Sequence, residues 1–170
     1  WLPTPTLDSF PVYDFHPTND GLLIALSGGG IQKTMNEGET WRSISVEEGL
    51  AGNTFFTQFT QIGNTIYVAA RNRVANQKGG IFKSIDQGET WEVAYDSTLS
   101  TPDAHAIIHV GNRLIIGTDG GIYTSDNGGG SWQWAAFDKG EARYYETRCL
   151  AANGQTVVGG SGKHVYVSQD

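Results

Sequence analysis

Apolar residues in this chain recur with a period of two, in short runs separated by glycine-rich turns. "GGIQKT", "GGIFKS" and "GGIYTS", starting at Gly29, Gly79 and Gly120, alternate in the manner of half-buried strands, and "KHVYVS" from Lys163 stands in the same place further on. Ahead of each lies a β-rich run opened by a turn pair: "DGLLIAL" from Asp20, "GNTIYVAA" from Gly63, "GNRLIIG" from Gly111 and "NGQTVVG" from Asn153. These pairs tolerate the positive φ of a type I′ hairpin and so predict antiparallel neighbours. A further short run follows three tryptophans, in "WRSIS", "WEVAY" and "WQWAAF". No segment sustains a 3.6-residue period, so one unit reads as four short strands of a meander, which is the sequence form of a propeller blade.

The units repeat. Trp1, Trp41, Trp91 and Trp132 stand 40, 50 and 41 residues apart. Before the last three comes a hydroxyl residue, a short polar side chain, a glycine and a second hydroxyl: Thr34, Asn36, Gly38, Thr40; Ser84, Asp86, Gly88, Thr90; and Thr124, Asp126, Gly129, Ser131. In this alignment the third copy carries one extra residue between Asp126 and Gly129. A fourth copy starts at Ser168 and Asp170, where the chain ends. The chemistry suits a tight corner: a short carboxylate or amide accepts backbone N–H groups of its own turn, glycine adopts positive φ, and tryptophan buries a large ring beside the next blade. One carboxylate per unit on separate turns supplies neither a paired acid and base nor the oxygen set of a calcium site, so Asp86, Asp126 and Asp170 read as structural.

The box Ser/Thr-x-Asp-x-Gly-x-Thr/Ser-Trp resembles the Asp-box, or bacterial neuraminidase, repeat of sialidases, xyloglucanases, sortilin-type receptors and photosystem II assembly factors. The resemblance covers the whole chain. It implies an all-β propeller of four-stranded antiparallel blades, about four of them here, with the boxes between third and fourth strands. Residues 1–170 then form one propeller domain or propeller segment, with units at about 1–40, 41–90, 91–131 and 132–170. Asn36 departs from the aspartate of the pattern. Two readings of the ends stay open: a segment of a larger propeller, with open blade faces through which copies would associate, or a ring closed by "WLPTP" supplying the missing strand. The family includes enzymes, receptors and assembly factors, so it implies a fold more sharply than a function.

Composition narrows the partners. A formal charge of −7 with no basic run argues against nucleic acid, and no run of apolar residues is long enough for membrane insertion. Cys149 is the only cysteine, which excludes an intrachain disulfide; its apolar surroundings in "TRCLAA" predict a small core residue. His16, His105, His109 and His164 read as structural or exposed, and no metal or cofactor is expected.

Function is expected where the units differ, on the face opposite the box turns. The second unit is longer than its siblings by seven residues within "RNRVANQK", residues 71–78, which carries Arg71, Arg73 and Lys78. "DKGEARYYETR" adds Arg143, Tyr144 and Tyr145 on the same predicted face. Aromatic surface beside cations suits a glycan or a protein or peptide ligand. The leading expectation is a non-catalytic binding or interaction module. The alternative is part of a glycoside hydrolase of sialidase or xyloglucanase type. A sialidase-like site needs an arginine triad, and none of Arg42, Arg71, Arg73, Arg113, Arg143 and Arg148 stands in a matching motif. A xyloglucanase-like site needs two facing carboxylates, and Asp14 in "VYDFHP" is the best candidate for one, without an identifiable partner. The resemblance also favours an extracytoplasmic setting.

Overall fold

The computed structural model describes residues 11–26, 30–44, 48–49, 54–72, 79–99, 103–135 and 146–168. They form strands and turns and no helix. The first sheet is β1 (Val12–Pro17), β2 (Leu22–Leu26), β3 (Gly30–Thr34) and β4 (Arg42–Ile44). The second is β5 (Thr54–Ile62), β6 (Thr65–Asn72), β7 (Gly80–Ser84) and β8 (Glu92–Val93), and the third is β9 (Ala104–Val110), β10 (Arg113–Thr118), β11 (Gly121–Ser125) and β12 (Gln133–Trp134). The fourth holds β13 (Cys149–Asn153), β14 (Thr156–Gly160) and β15 (Val165–Ser168). Each sheet is an antiparallel meander in sequence order. Residues 1–10, which would supply the closing strand in one of the two readings of the ends, lie outside the described residues, as does Asp170.

Three hairpins depart from the expected turn. In Gly63–Asn64, Gly111–Asn112 and Gly154–Gln155 only the glycine has positive φ, at 58°, 56° and 62°, which is the II′ rather than the I′ pattern. The first hairpin is wider: Thr18 N–H donates to Gly21 O at 2.9 Å around a four-residue turn.

The turns between third and fourth strands share one hydrogen-bond set. Around Asp86, the Ser84 hydroxyl donates to Oδ1 at 2.7 Å and the Thr90 N–H at 2.9 Å, while Gly88 N–H donates to Ser84 Oγ at 2.8 Å. Asn36 repeats this with Thr34, Thr40 and Gly38 at 3.0, 3.0 and 2.9 Å. In the third sheet the acceptor is Asn127, with Ser125, Ser131 and Gly129 in the other places, all at 2.9 Å. The alignment on Thr124 and Asp126 is therefore displaced by one residue, and no extra residue exists. An amide accepts as well as a carboxylate, so Asn127, five residues before its tryptophan like Asp86 and Asn36, takes the corner. Asp126 points outward instead and binds Arg113 through Nε at 2.7 Å and Nη2 at 3.2 Å. Gly129 is required there: its φ is 86°, and a Cβ would fall 2.5 Å from Ala94 O.

The apolar faces stack in pairs. Ile31 and Ile44 of the first sheet meet Phe56, Phe59, Ile66, Val68 and Phe82 of the second, with Trp91 among them. Trp132 lies in the next layer, between Ile81 and Ala94 of the second unit and Ile107, Leu114 and Ile116 of the third sheet. Each of these rings thus packs against the preceding sheet, not the following one. The reason is visible in the polar atoms, since Trp132 Nε1–H donates to Ala94 O at 3.0 Å and its backbone N–H to Thr98 Oγ1 at 2.7 Å. Trp91 likewise anchors its backbone N–H on Glu48 O at 2.7 Å. A smaller layer of Ala106, Ile115, Ile122, Leu150 and Val157 joins the third and fourth sheets.

Candidate functional site

The first strands β1, β5, β9 and β13 lie side by side. Three of them carry a bulge at the same place. Pairing of β1 with β2 slips between Val12 and Asp14, that of β5 with β6 between Phe56 and Gln58, and that of β9 with β10 between Gly117 and Thr118. Tyr13, Thr57 and His105 are the residues that the register skips. A bulge re-aims the side chains next to it. All three line one cavity of about 420 Å³, together with Asp14, Gln58, Arg71, Arg148, Cys149 and Leu150.

The residue after each of the first two bulges is spent on structure. Asp14 Oδ2 accepts the Phe59 N–H at 2.7 Å and Oδ1 the Phe15 N–H at 2.9 Å; Gln58 Oε1 accepts the Ile107 N–H at 3.1 Å. Each side chain thereby ties its strand to the next first strand. Asp14, the candidate catalytic carboxylate, is a bracket between sheets.

Polar groups of a different kind face the cavity. Arg71, near the end of β6, is half-buried, and its Nε is enclosed with no hydrogen-bond partner among the described residues. Arg148 is exposed and donates to Glu146 Oε2 at 2.8 Å, a bond that raises its pKa above the usual guanidinium value. The His105 side chain is only 8% exposed. Its Nε2 lies 2.6 Å from Asp119 Oδ1 and 3.3 Å from Glu146 Oε1. These three donor atoms all lie within 4.8 Å of one another, the one group among the described residues placed to hold a metal ion. Cys149, expected in the core, is exposed beside the cavity because β13 starts there.

Of the residues expected to bind ligand, the structure describes Arg71 and places it in the cavity wall. Arg73, Lys78, Arg143, Tyr144 and Tyr145 lie outside the described residues. The sequence missed His105, Asp119, Glu146 and Arg148. Regular strand alternation would set His105 and His109 on one face, and the bulge breaks it: His109 turns to the surface and bonds Gly111 O at 3.0 Å.

No protein-family model matches the chain, and no curated protein matches it by sequence. Solved structures do. YCF48 from Cyanidioschyzon merolae superposes with a TM-score of 0.65 at 16% identity, over 94% of this chain and 52% of that one. The extracellular domain of a putative one-component system from B. thetaiotaomicron gives 0.72 at 15% identity, over 92% of this chain and 20% of that one. An ancestral GH74 enzyme gives 0.68 at 21% identity, over 87% and 21%. YCF48 is also known bound to a D1 peptide, in a structure that matches with a TM-score of 0.64 at 13% identity, over 98% of this chain and 54% of that one. The chain thus spans about half the length of the YCF48 structures and about a fifth of the other two. At these identities the likeness concerns fold, and the chain is similar to β-propeller-type proteins.

Proposed function

We propose that this chain is a non-catalytic β-propeller module of the Asp-box type that binds a carboxylate-bearing protein or peptide segment in the cavity over its inner strands. The observation that carries this reading is Arg71. A guanidinium keeps its charge at ordinary pH, and Arg71 lines the cavity with no ion-pair partner among the described residues, so a carboxylate entering there would meet an uncompensated cation. Arg148 on the same wall adds a second cation, and Tyr13 and Leu150 give apolar surface beside them. Several hundred Å³ is the size of a pocket for a few ligand groups rather than for a whole domain.

The flanking segments extend the proposed surface. We include in it, from their place in the sequence alone, Arg73 and Lys78, which follow Arg71, and Arg143, Tyr144 and Tyr145, which precede Glu146. The likeness to a protein known with a bound peptide supports a peptide over a glycan. The hydrolase reading rests on Asp14, whose oxygens each accept a backbone amide and which is the one carboxylate among the residues lining the cavity, where a facing pair is needed. We place the module outside the cytoplasm, in line with the extracellular domain it resembles; no helix among the described residues is long and apolar enough to cross a membrane.

The test is a hexapeptide library without Asp or Glu, so that the C-terminus is its one carboxylate, synthesised with free and with amidated C-termini alongside a panel of neutral and acidic glycans. Binding by free-acid peptides that amidation abolishes is the expected result. Preference for a glycan, or indifference to amidation, overturns the ligand class.

A further inference from the structure

We propose that His105, Asp119 and Glu146 form a binding site for a divalent transition-metal ion of the zinc type, at the junction of the third and fourth sheets. The proposal is independent of what the cavity binds. The three residues come from separate places that the fold brings together: the bulge of β9, the turn between β10 and β11, and the segment entering β13. One imidazole and two carboxylates make a mixed nitrogen and oxygen set suited to zinc, cobalt or manganese.

The hydrogen-bond count argues for a cation at this point. Nε2 carries at most one proton, yet carboxylate oxygens from two residues converge on it at 2.6 and 3.3 Å. One N–H can serve both only as a weakened three-centre bond, whereas an ion at about 2.0 to 2.2 Å from each donor would engage all three fully. Donors around such an ion stand roughly 3 to 3.5 Å apart, given those bond lengths and tetrahedral angles, so the His105–Glu146 pair at 3.3 Å already fits and the His105–Asp119 pair must open from 2.6 Å. The surroundings already resemble an outer shell. Glu146 turns Oε1 toward His105 while Oε2 is held by Arg148 at 2.8 Å, which fixes the carboxylate as outer-shell partners fix metal ligands. His105 is largely buried and the carboxylates are more open, so the fourth coordination position faces solvent and the cavity rim.

The competing state is His105 bonded directly to the carboxylates with no ion, and the experiment separates the two. Protein free of any affinity tag is stripped with chelator and dialysed, then titrated with Zn²⁺ by calorimetry and with Co²⁺ by visible absorption. Wild type should take up one equivalent saturably, show the d–d bands of a four- or five-coordinate Co²⁺, and melt at higher temperature with Zn²⁺ than in chelator. His105→Gln should lose all three responses while its melting temperature in chelator stays near that of wild type; His16, His109 and His164 remain in that variant and control for surface binding. Should His105→Gln fold poorly, Asp119→Asn, at an exposed turn, serves instead with the same expectation. Absence of saturable one-to-one binding in wild type, or binding undiminished in both variants, overturns the site and leaves a directly hydrogen-bonded cluster.

Discussion

Asp14 Oδ2 lies 2.7 Å from the backbone N–H of Phe59, so a side chain of β1 occupies a hydrogen-bonding place on β5. Gln58 does the same for Ile107 one sheet later. Neighbouring sheets are therefore fastened at their inner strands by side chains as well as by apolar layers. Asp14→Ala removes the acceptor of two amides, and the loss of a charged acceptor should cost about 1.5 to 3 kcal/mol. Asp14→Asn keeps an acceptor and should cost less. Urea unfolding of the two variants measures both, and an equal cost would remove the hydrogen bond as the cause.

The three corner turns predict a graded response at Asp86. Alanine should destabilise by about 1 to 2 kcal/mol through loss of the acceptor. Asparagine should stay within about 0.5 kcal/mol of wild type, because Asn36 and Asn127 hold the same bonds and each amide donates as well to the following hydroxyl, Thr40 or Ser131. Burial raises the Asp86 carboxyl, but the bonds from Thr90 and Ser84 outweigh it and hold the group below the usual carboxylate value. A depressed folded pKa gives stability that is present above the unfolded value of about 4 and is lost as pH falls through the folded one. The acid limb of the unfolding midpoint, followed from about pH 5 to pH 2, should accordingly be shallower in Asp86→Asn than in wild type.

Glu37 sits at φ 57° and Gln87 at φ 60°, each just before the turn glycine, where the third turn has Gly128 at φ 67°. A left-handed non-glycine residue costs roughly 1 to 2 kcal/mol, and glycine gives back about 0.5 to 1 kcal/mol in unfolded-chain entropy. Glu37→Gly should therefore raise stability by up to about 1 kcal/mol. A lower melting temperature would contradict this account of the turn.

Lys33 is almost fully enclosed and holds the first two sheets together. Its Nζ lies 3.0 Å from Asp20 Oδ2, 2.6 Å from Glu89 Oε1 and 3.0 Å from Gln87 O. The carboxylates are much more open, with 39% and 43% of their side chains accessible. The asymmetry predicts unequal mutants. Asp20→Asn with Glu89→Gln strands a buried ammonium and should cost about 3 kcal/mol, whereas Lys33→Met releases two carboxylates to water and should cost less than about 1 kcal/mol.

Strands, meander order and corner turns were legible in the sequence because each depends on residues within a few positions. Ser84, Gly88 and Trp91 specify their turn locally. The third corner was displaced because "SDNGGG" places two short polar residues side by side, and only the count back from Trp132 distinguishes Asn127 from Asp126. The site was less legible. Arg71 drew notice through the length of its unit, but its unpaired Nε is a property of packing. His105, Asp119 and Glu146 are far apart in sequence and meet through a bulge, and a bulge shifts the period on which strand reading relies.

The most direct measurement is the affinity of the tightest free-acid hexapeptide for wild type and for Arg71→Gln, with the fold of the variant checked by its melting temperature. A desolvated guanidinium–carboxylate contact is worth about 1.5 to 3 kcal/mol, so the variant should bind about 10- to 150-fold more weakly and should no longer distinguish the free acid from the amide. Unchanged affinity in a folded Arg71→Gln protein would contradict carboxylate recognition in the cavity.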